Sequence, residues 1–548
     1  MGNHLNILLI KVPEIDFEEK KISYTESLSL DAPPIPLGIA SLSAYLKKMS
    51  AHTVHILDVF AEGFDKYNKE KNRKAFFDII EDRINSIRPD VVGISALMVI
   101  NHKWVHHVAR IAKQINPEIK VIVGGGYATI LPQRNLENTN VDFIVLGEGE
   151  ETLLTILNEN FDKEKLSDVD GIGFRTLSGE KVINPKKSFI KDVNSLPFYD
   201  WEGIKLENYM KHHKKRFVSY ITSRGCPFGC TFCSTFLQWG RKFRPLSSKR
   251  VLDEIDYLVK KYNIEHIEFR DDNLTLNNER VLDILNGMID RKYNLSWTDP
   301  NAVAIVSLDQ HLIEVIKKSG CQTLIVAIES GSERVLKDII HKPVNKDKVR
   351  EVCKAAKAVG LKVQTAFIIG FPGETKEDIE ETKNFALELK CDWNQISIAT
   401  PFPGTEMYEV CEKNSYFVKN DADLERYRYG FANIKTEDFD DKWVKDKAYE
   451  INIEVNFLKN HLLQDDPEYA ISVFEDILGR YPKHLIAILC LAYAYKLTNN
   501  TKKARIVTAR ACDLMKNDPD IFETYKKYIE PGNPIFEDIL KEVTVHRM

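Results

Sequence analysis

Three cysteines, Cys226, Cys230 and Cys233, fall within eight positions of the sequence. They follow an apolar run and an Arg-Gly pair, which predicts a loop at the end of a strand. Four thiolates close a zinc site or an iron–sulfur cubane, whereas three leave one iron of a [4Fe–4S] cluster open to the amino and carboxylate groups of a small molecule. The alternatives are a structural zinc site and unrelated buried thiols. Zinc needs a fourth ligand, and the nearest histidines are His213 and His266.

The remaining six cysteines have no close partner in sequence: Cys321, Cys353, Cys391, Cys411, Cys490 and Cys512. The first residues of the chain lack the basic, apolar and small-residue pattern of a secretory signal. We therefore expect a cytoplasmic protein with reduced thiols and no disulfide framework.

Length and charge narrow the class of protein. A chain of 548 residues exceeds what one hydrophobic core holds and indicates about three domains. The net charge is −5 with both signs interspersed, so nothing indicates a nucleic acid or an anionic membrane as partner. No apolar run reaches the roughly 18 residues of a membrane span. The one basic run, residues 211–216, is interpreted as a solvated linker, with a docking patch as the alternative.

Residues 1–165 alternate short apolar runs with helical patterns, which predicts βαβ units around a parallel sheet. We expect strands at residues 6–10, 53–57, 91–95, 120–123 and 143–146, with helices such as 37–46 and 105–115 between them. Five such strands make an α/β, Rossmann-like or flavodoxin-like domain, whose ligands bind at the carboxyl ends of the strands.

A second βα series indicates a further α/β domain. Residues 166–215 are a linker with a hairpin-like piece near residues 178–180, and residues 216–410 predict a partial (β/α)6 TIM-like barrel. Its strands are expected at residues 218–221, 266–269, 296–298, 323–326, 363–367 and 395–398. Residues 411–548 predict an α-helical domain with a tetratricopeptide-like pattern. Because solenoids need about three repeats, we expect it to dock on the barrel.

The cysteine triplet, with the aromatic Phe232 just before its last member, resembles the signature of the radical S-adenosylmethionine (SAM) superfamily. The resemblance implies that SAM chelates the open iron and is cleaved by one electron to a 5′-deoxyadenosyl radical. It also implies SAM contacts from residues at the ends of later strands, each a weak signal alone. They are Phe232, Asp271, Asp272, Glu329, Ser330, Arg334, Gln364 and Pro372.

The N-terminal domain discriminates between radical SAM classes. Methylthiotransferases need a second cluster, and the first 225 residues contain no cysteine to hold it. Small residues at the predicted strand ends resemble the cobalamin (B12)-binding class, because they let a corrin ring approach the backbone. A generic doubly wound domain is the alternative. The resemblance implies cobalamin contacts from Pro36, Leu37, Ser95, Ala96, Leu97, Gly124, Gly125, Gly126, Tyr127, Glu148 and Gly149.

B12 proteins of another type supply a histidine to cobalt from a D-x-H-x-x-G motif. Asp58 to Gly63 has this shape but carries Phe60 at the histidine position, so we interpret the match as accidental. No histidine lies between Ile7 and Ala51. We therefore expect cobalt without a histidine ligand from the protein.

The family resemblance implies a methyltransferase that uses a [4Fe–4S] cluster, SAM and cobalamin on an unactivated carbon, or a phosphinate, of a small molecule. A reductant such as flavodoxin or ferredoxin is the expected partner. The catalytic residues are unknown, with Asp299, Gln364, Gln395 and Tyr408 as candidates, although packing explains each equally well. The alternatives are a cobalamin-dependent cyclase or ring-rearranging enzyme without methyl transfer, and a non-catalytic scaffold.

Overall fold

The computed structural model describes residues 4–15, 17, 33–70, 72–418, 424, 427, 431–529 and 532–537. The histidine-free stretch of the first 51 residues therefore lies partly outside the described residues, as does the end of the predicted helical domain.

The N-terminal part of the chain forms one seven-stranded sheet. Its strands are β1 (Asn6–Lys11), β2 (Thr53–Asp58), β3 (Val91–Ser95), β4 (Lys120–Gly124), β5 (Phe143–Val145), β6 (Ile172–Arg175) and β7 (Lys181–Asn184). Their order is β2-β1-β3-β4-β5-β6-β7, with β1 to β5 parallel. The first five strands have the flavodoxin-like order, so the predicted fold class is confirmed, and the chain reverses direction across the sheet between β1 and β3.

Helices cover both faces of this sheet. They are α1 (Leu37–Met49), α2 (Val59–Glu70), α3 (Lys74–Ile87), α4 (His102–Ile115), α5 (Gly126–Ile130), α6 (Pro132–Asn135) and α7 (Glu150–Asn158). In α4 the buried residues Trp104, Val105 and Val108 recur at helical spacing, so one face packs on the sheet and the other meets solvent.

The sheet has two strands more than the five predicted for it, and these two form the hairpin-like piece expected near residues 178–180. β6 and β7 form an antiparallel hairpin that extends the sheet beyond β5, so this part of the expected linker belongs to the sheet. Both strands are four residues long and mix polar with apolar residues, which leaves no apolar run to detect. Trp201 and Tyr209, later in the same segment, are fully buried in a core that continues into the barrel. The segment is therefore a packed connection.

The next strands are β8 (Phe217–Tyr220), β9 (Ser223–Arg224), β10 (Arg244–Pro245), β11 (His266–Phe269), β12 (Ser296–Thr298), β13 (Thr323–Glu329), β14 (Lys362–Ile369) and β15 (Trp393–Ile398). Six of them form two parallel three-stranded sheets, β8-β11-β12 and β13-β14-β15. Parallel bridges from Trp297 to Cys321 and from Val303 to Val326 join the two sheets. The result is the predicted partial barrel. β9 and β10 form a separate antiparallel pair.

The helices around the barrel are α8 (Glu207–Met210), α9 (Thr235–Trp239), α10 (Ser248–Tyr262), α11 (Asn278–Asp290), α12 (Gln310–Lys318), α13 (Lys346–Ala358) and α14 (Lys376–Leu389). Five of them begin at a residue whose side chain accepts a backbone N–H of the first turn: Ser247, Asn277, Asp309, Asn345 and Thr375. Such caps define the βα turns that carry the loops at the barrel mouth.

The C-terminal part is helical, as predicted: α15 (Glu406–Lys413), α16 (Asp441–Ile453), α17 (Leu462–Asp465), α18 (Pro467–Arg480), α19 (Leu485–Leu497), α20 (Thr501–Asn517) and α21 (Pro519–Tyr525). Short 3-10 or π turns lie at Val99–Asn101, Val193–Ser195, Ile305–Ser307, Val335–Ile339, Glu454–Leu458 and Lys526–Tyr528. The side chain of Asn456 hydrogen-bonds both the N–H and the C=O of Asn394 in β15, which docks these helices on the barrel. No helix in the described ranges is long and apolar enough to cross a membrane.

Candidate active site

The three clustered cysteines lie on the loop between β9 and α9. Gly225 begins this loop with φ +83°, and a Cβ atom there would stand 2.4 Å from the carbonyl oxygen of Lys242, so the turn requires glycine. Thr231 anchors the middle of the loop through bonds to the carbonyls of Ile339 and Ile340. The cysteines themselves are half-buried.

The chemistry of the three thiols suits a metal centre. Burial raises the pKa of Cys226, and it raises the pKa of Cys230 to about 11, so both are neutral thiols without a metal. A bound metal deprotonates such thiols. Within the described ranges, no group of three or more His, Cys, Asp or Glu side chains, the cysteine triplet included, is arranged so that it could hold a metal ion, and the triplet is assigned from its residue types and spacing. The donor set is thus three thiols on one loop, which fits a cubane with one open iron.

Asp271 and Asp272, after β11, have different surroundings. Asp271 is fully buried and accepts hydrogen bonds from the backbone and hydroxyl of Thr222 and from the hydroxyl of Ser223. It therefore positions the start of the cysteine loop, and its oxygens are not turned to a nucleotide as the sequence suggested. Asp272 accepts a hydrogen bond from the hydroxyl of Thr235 at 3.4 Å and no other from the described residues. Burial and the neighbouring Asp271 raise the pKa of Asp272 to about 7.

A strained residue faces the cysteine loop from β13. Glu329 has φ +74°, next to a register shift between β13 and β14. Non-glycine residues in this conformation are held by their surroundings and often mark functional sites. Its carboxylate pairs with the ammonium of Lys342 at 2.6 Å, and the charge of Lys342 lowers the pKa of Cys230 against the larger effect of burial. Sequence reasoning missed Lys342, because no local pattern marks it.

The five other predicted SAM contacts lie on different parts of the barrel. Phe232 packs on Phe371, beside Pro372, so it stays at the barrel mouth. Gln364 lies on the half-exposed face of β14. The hydroxyl of Ser330 contacts Thr382, and Arg334 pairs with Asp378, both on α14. Arg334 also donates to the carbonyl of Gly373, next to Pro372, so a SAM contact from Ser330 or Arg334 stays a prediction.

The proposed catalytic candidates are dispersed. Asp299 is 4% exposed and alternates with the half-exposed Thr298, so its side chain is turned into the wall of the barrel. Burial and the neighbouring Asp271 raise the pKa of Asp299 well above its usual value, against smaller opposing effects from the backbone of Asn301 and from Arg270. Gln395 is exposed on β15, and Tyr408 packs on Phe417. The structure does not gather these residues with Gln364 into one site.

A cavity of about 490 Å³ lies between the sheet and the barrel. It opens at the carboxyl ends of β1 and β3, where the strand order reverses, which is where ligands of such sheets bind. Nine predicted cobalamin contacts line it: Pro36, Leu37, Ser95, Leu97, Gly124, Gly125, Gly126, Glu148 and Gly149. The other two, Ala96 and Tyr127, are fully buried behind this lining, so the structure does not place them at the surface of the cavity.

Two glycines keep one wall of the cavity at the level of the backbone. Gly125 has φ +89°, and a Cβ atom there would stand 2.6 Å from the carbonyl oxygen of Ala96. A Cβ atom on Gly126 would stand 2.2 Å from the carbonyl oxygen of Leu97. Both positions therefore exclude any side chain.

The barrel supplies the opposite wall. Its residues at the cavity are Ser219, Ile221, Arg224, Gln238, Trp239, Arg270 and Asn301. Gln238 donates to the carbonyl of Gly147 at 2.7 Å, which ties α9 to the N-terminal sheet. Because α9 begins two residues after Cys233, the cysteine loop and the cavity are joined by one short segment.

A buried ionic network closes the same interface. Arg224 donates to Glu148 at 3.0 Å and to Glu150 at 2.7 Å, and Arg244 also donates to Glu148. Burial alone would raise the pKa of Glu150, yet Arg224 and Ser41 hold it below its usual value. Each charged group of this network is therefore paired with an opposite charge, as buried charges must be.

Asp58, in the segment that imitates a cobalamin motif, has a structural role. Its carboxylate accepts the hydroxyl of Tyr209 at 2.8 Å and the backbone N–H of Ala61 at 3.0 Å. Phe60 is 1% exposed in the core. The geometry agrees with an accidental match.

The fold and the site define a class of protein: a B12-type α/β domain whose strand ends face a radical SAM barrel. Residues 28–157 match the B12 binding domain, and residues 220–386 match the radical SAM superfamily. An uncharacterised methyltransferase of Pyrococcus horikoshii is 34% identical over 69% of this chain and 79% of its own length. The chain belongs to the cobalamin-binding radical SAM enzyme family, which uses a [4Fe–4S] cluster, SAM and cobalamin.

Further relatives differ in their reactions. The cytidylyl-2-hydroxyethylphosphonate methyltransferase of Streptomyces wedmorensis is 30% identical over 73% of this chain and 82% of its own. The anaerobic magnesium-protoporphyrin IX monomethyl ester cyclase of Rubrivivax gelatinosus is 26% identical over 74% of this chain and 70% of its own length. Among solved structures, the cobalamin-dependent radical SAM enzyme OxsB, with aqua-cobalamin and SAM bound, has a TM-score of 0.66 at 16% identity and covers 99% of this chain and 84% of its own. At that identity the likeness concerns the fold alone.

Proposed function

We propose that this protein is a cobalamin-dependent radical SAM methyltransferase that acts on an unactivated carbon, or a phosphinate, of a small molecule. The observation that carries the proposal is the cavity shared by the two domains. Gln238 and Trp239 end the segment that carries the cysteines, and they line the same cavity as Gly124 to Gly126. A methyl donor in the sheet and a radical source in the barrel therefore face one space.

The residues that hold the cofactors follow from the site. Cys226, Cys230 and Cys233 bind the cluster, while Asp272 and Lys342 lie where they can meet the amino and carboxylate groups of SAM. When bound, the cluster supplies the electron that cleaves SAM, and cobalamin supplies the methyl group. Trp239 packs under the guanidinium of Arg224 at 4.8 Å and helps to exclude water from the cavity.

We also propose that cobalt has no histidine ligand from this protein. Among the described residues that line the cavity, none is a histidine, and β1 ends there in Lys11. Electron paramagnetic resonance of the reduced cobalamin-loaded protein tests this, because a nitrogen ligand splits the cobalt signal. Superhyperfine splitting that persists with a cobalamin lacking its own base would contradict the proposal.

The relatives support methyl transfer first and cyclisation second. Two of the relatives described above are methyltransferases, and one is a cyclase of lower identity. Cyclisation therefore stays the second candidate.

We propose the domain boundaries 1–165, 166–215, 216–410 and 411–548, with the hairpin at residues 172–184 packed on the first domain.

Two measurements test the proposal in sequence. Anaerobically reconstituted protein should contain iron, sulfide and cobalamin, and it should release 5′-deoxyadenosine under a strong reductant. With methyl-deuterated SAM and a small-molecule extract, the product should then gain the labelled methyl group by mass spectrometry. A radical-dependent product with unchanged mass would favour cyclisation. Absence of 5′-deoxyadenosine would overturn both candidate functions, methyl transfer and cyclisation.

A further inference from the structure

Arg270 extends β11 into the cavity on the barrel side, beside Asn301. The backbone N–H of Arg270 donates to the carbonyl of Tyr220 at 2.8 Å. Its own carbonyl accepts the side-chain amide of Asn301 at 3.0 Å. The backbone of Arg270 is therefore fixed from both sides, at the point where the barrel meets the cavity.

The cations of this cavity differ in how fully they are paired. Among the described residues that line it, the cationic side chains are Lys11, Arg224 and Arg270. Lys11 lies between Glu14 and Asp58. Arg224 is 7% exposed and forms ion pairs with Glu148 and Glu150. Their charges are thus neutralised by the protein.

Arg270 retains donors for a ligand. Its side chain is 40% exposed, and the one ion pair that it forms with a described residue joins a single terminal nitrogen to Glu268 at 2.8 Å. Glu268 also accepts the hydroxyl of Ser219 at 3.1 Å, which fixes the carboxylate and with it the direction of the guanidinium. A guanidinium carries five N–H donors in a rigid fork. Glu268 therefore positions the guanidinium of Arg270, and the N–H donors on its other edge remain available to a ligand.

We propose that Arg270 binds an oxyanionic group of the substrate, a phosphonate, phosphate or carboxylate, and so orients the carbon to be methylated. A fork of N–H donors matches two oxygens of such a group and holds it in one orientation. Lys342 is the cation that acts on Cys230, whereas Arg270 lines the cavity, so we assign Arg270 to the substrate and not to SAM. The inference rests on the proposed function, since it identifies Arg270 as the substrate end of that site.

The test uses anion binding, which requires no turnover. The cluster- and cobalamin-loaded protein is titrated with methylphosphonate and, separately, with malonate, and line broadening of the 31P and 13C resonances gives each affinity. At least one probe should bind saturably. Arg270→Met should weaken that binding about tenfold or more, because a charged hydrogen-bond donor is lost, and Arg270→Lys should restore part of it. The probe that binds more tightly identifies the class of oxyanion.

Arg350→Met is the matched control, since Arg350 pairs with Glu388 and Asp347 on the outer surface of the barrel. It should bind the probes like the parent. The assignment is overturned if neither probe saturates the parent, if Arg270→Met binds as the parent does, or if both variants weaken binding equally. Loss of SAM binding in Arg270→Met also overturns it, because the guanidinium would then belong to the nucleotide site. Failure of label transfer in the deuterium experiment leaves these binding results unaffected.

Discussion

Arg224 of the barrel and Glu148 of the N-terminal sheet form an ion pair of 3.0 Å in which the side chains are 7% and 1% exposed. The two residues are 76 positions apart, and each belongs to a different domain. Arg224 begins the segment that carries the cysteines, whereas Glu148 lines the cavity. This pair therefore sets the position of one cofactor site relative to the other.

The first prediction concerns this pair. Arg224→Met leaves Glu148 and Glu150 with one buried cation fewer, and breaking a buried pair in this way costs about 3–5 kcal/mol. We expect a lower urea midpoint and weaker retention of cobalamin, because the β5–α7 loop loses its anchor. Lys249→Met is the control: its pair with Asp253 is exposed and contributes about 1 kcal/mol or less. Equal midpoints for the two variants would contradict the prediction.

The second prediction concerns the wall of the cavity. Gly126→Ala places a Cβ atom 2.2 Å from the carbonyl oxygen of Leu97, so the backbone must shift at one of these two residues, both of which line the cavity. Overpacking of this kind costs about 1–3 kcal/mol. If cobalamin binding bears that cost, affinity falls roughly five- to 150-fold, which equilibrium binding followed by visible absorbance measures.

Gly479→Ala is the matched control for this variant. Gly479 lies in α18, and a Cβ atom there has nothing within 4 Å. Cobalamin affinity should be unchanged, and the helix should gain slightly from alanine. An unchanged affinity in Gly126→Ala would show that cobalamin does not approach this wall.

The third prediction concerns the cluster. Cys230→Ala removes one of three thiolates, so the protein should lose most of its iron and all release of 5′-deoxyadenosine. Cys490→Ala removes a buried thiol from α19, in the core of the C-terminal helices, and should retain both. Iron and sulfide analysis after anaerobic reconstitution checks the pair. A variant at Cys230 that keeps a full cubane spectrum would refute the assignment of the ligands.

The sequence alone was sufficient to predict the parts of the candidate site that depend on a local sequence pattern. Gly124 to Gly126 directly follow a clear apolar run, and the spacing of the three cysteines is a local pattern. The general rule that ligands bind at strand ends then predicts where the glycines meet a ligand. Arg224, Gln238 and Lys342 were missed because their partners lie many positions away and their own neighbours carry no signal. Asp271 was misread for a related reason: only the structure shows that Thr222 and Ser223 occupy its oxygens.

The fourth prediction concerns Glu374, which lies after β14 and is fully buried. One of its oxygens accepts the backbone N–H groups of Gly370 and Phe371, and the other has no partner among the described residues. Burial raises the pKa of this carboxyl from 4.5 to about 8. The folded protein therefore keeps a proton that the unfolded chain has released, and folding stability falls as the pH rises from about 4.5 to about 8.

Glu374→Gln removes this titration while keeping an oxygen for the two N–H groups. The urea midpoint of the variant should depend less on pH between about 5 and 8 than that of the parent, and the difference should level off above pH 8, where the parent carboxyl is already charged. Glu351→Gln, on the exposed surface of α13, should follow the parent profile. Parallel profiles for Glu374→Gln and the parent would mean that this carboxyl is ionised throughout, with a donor at its second oxygen.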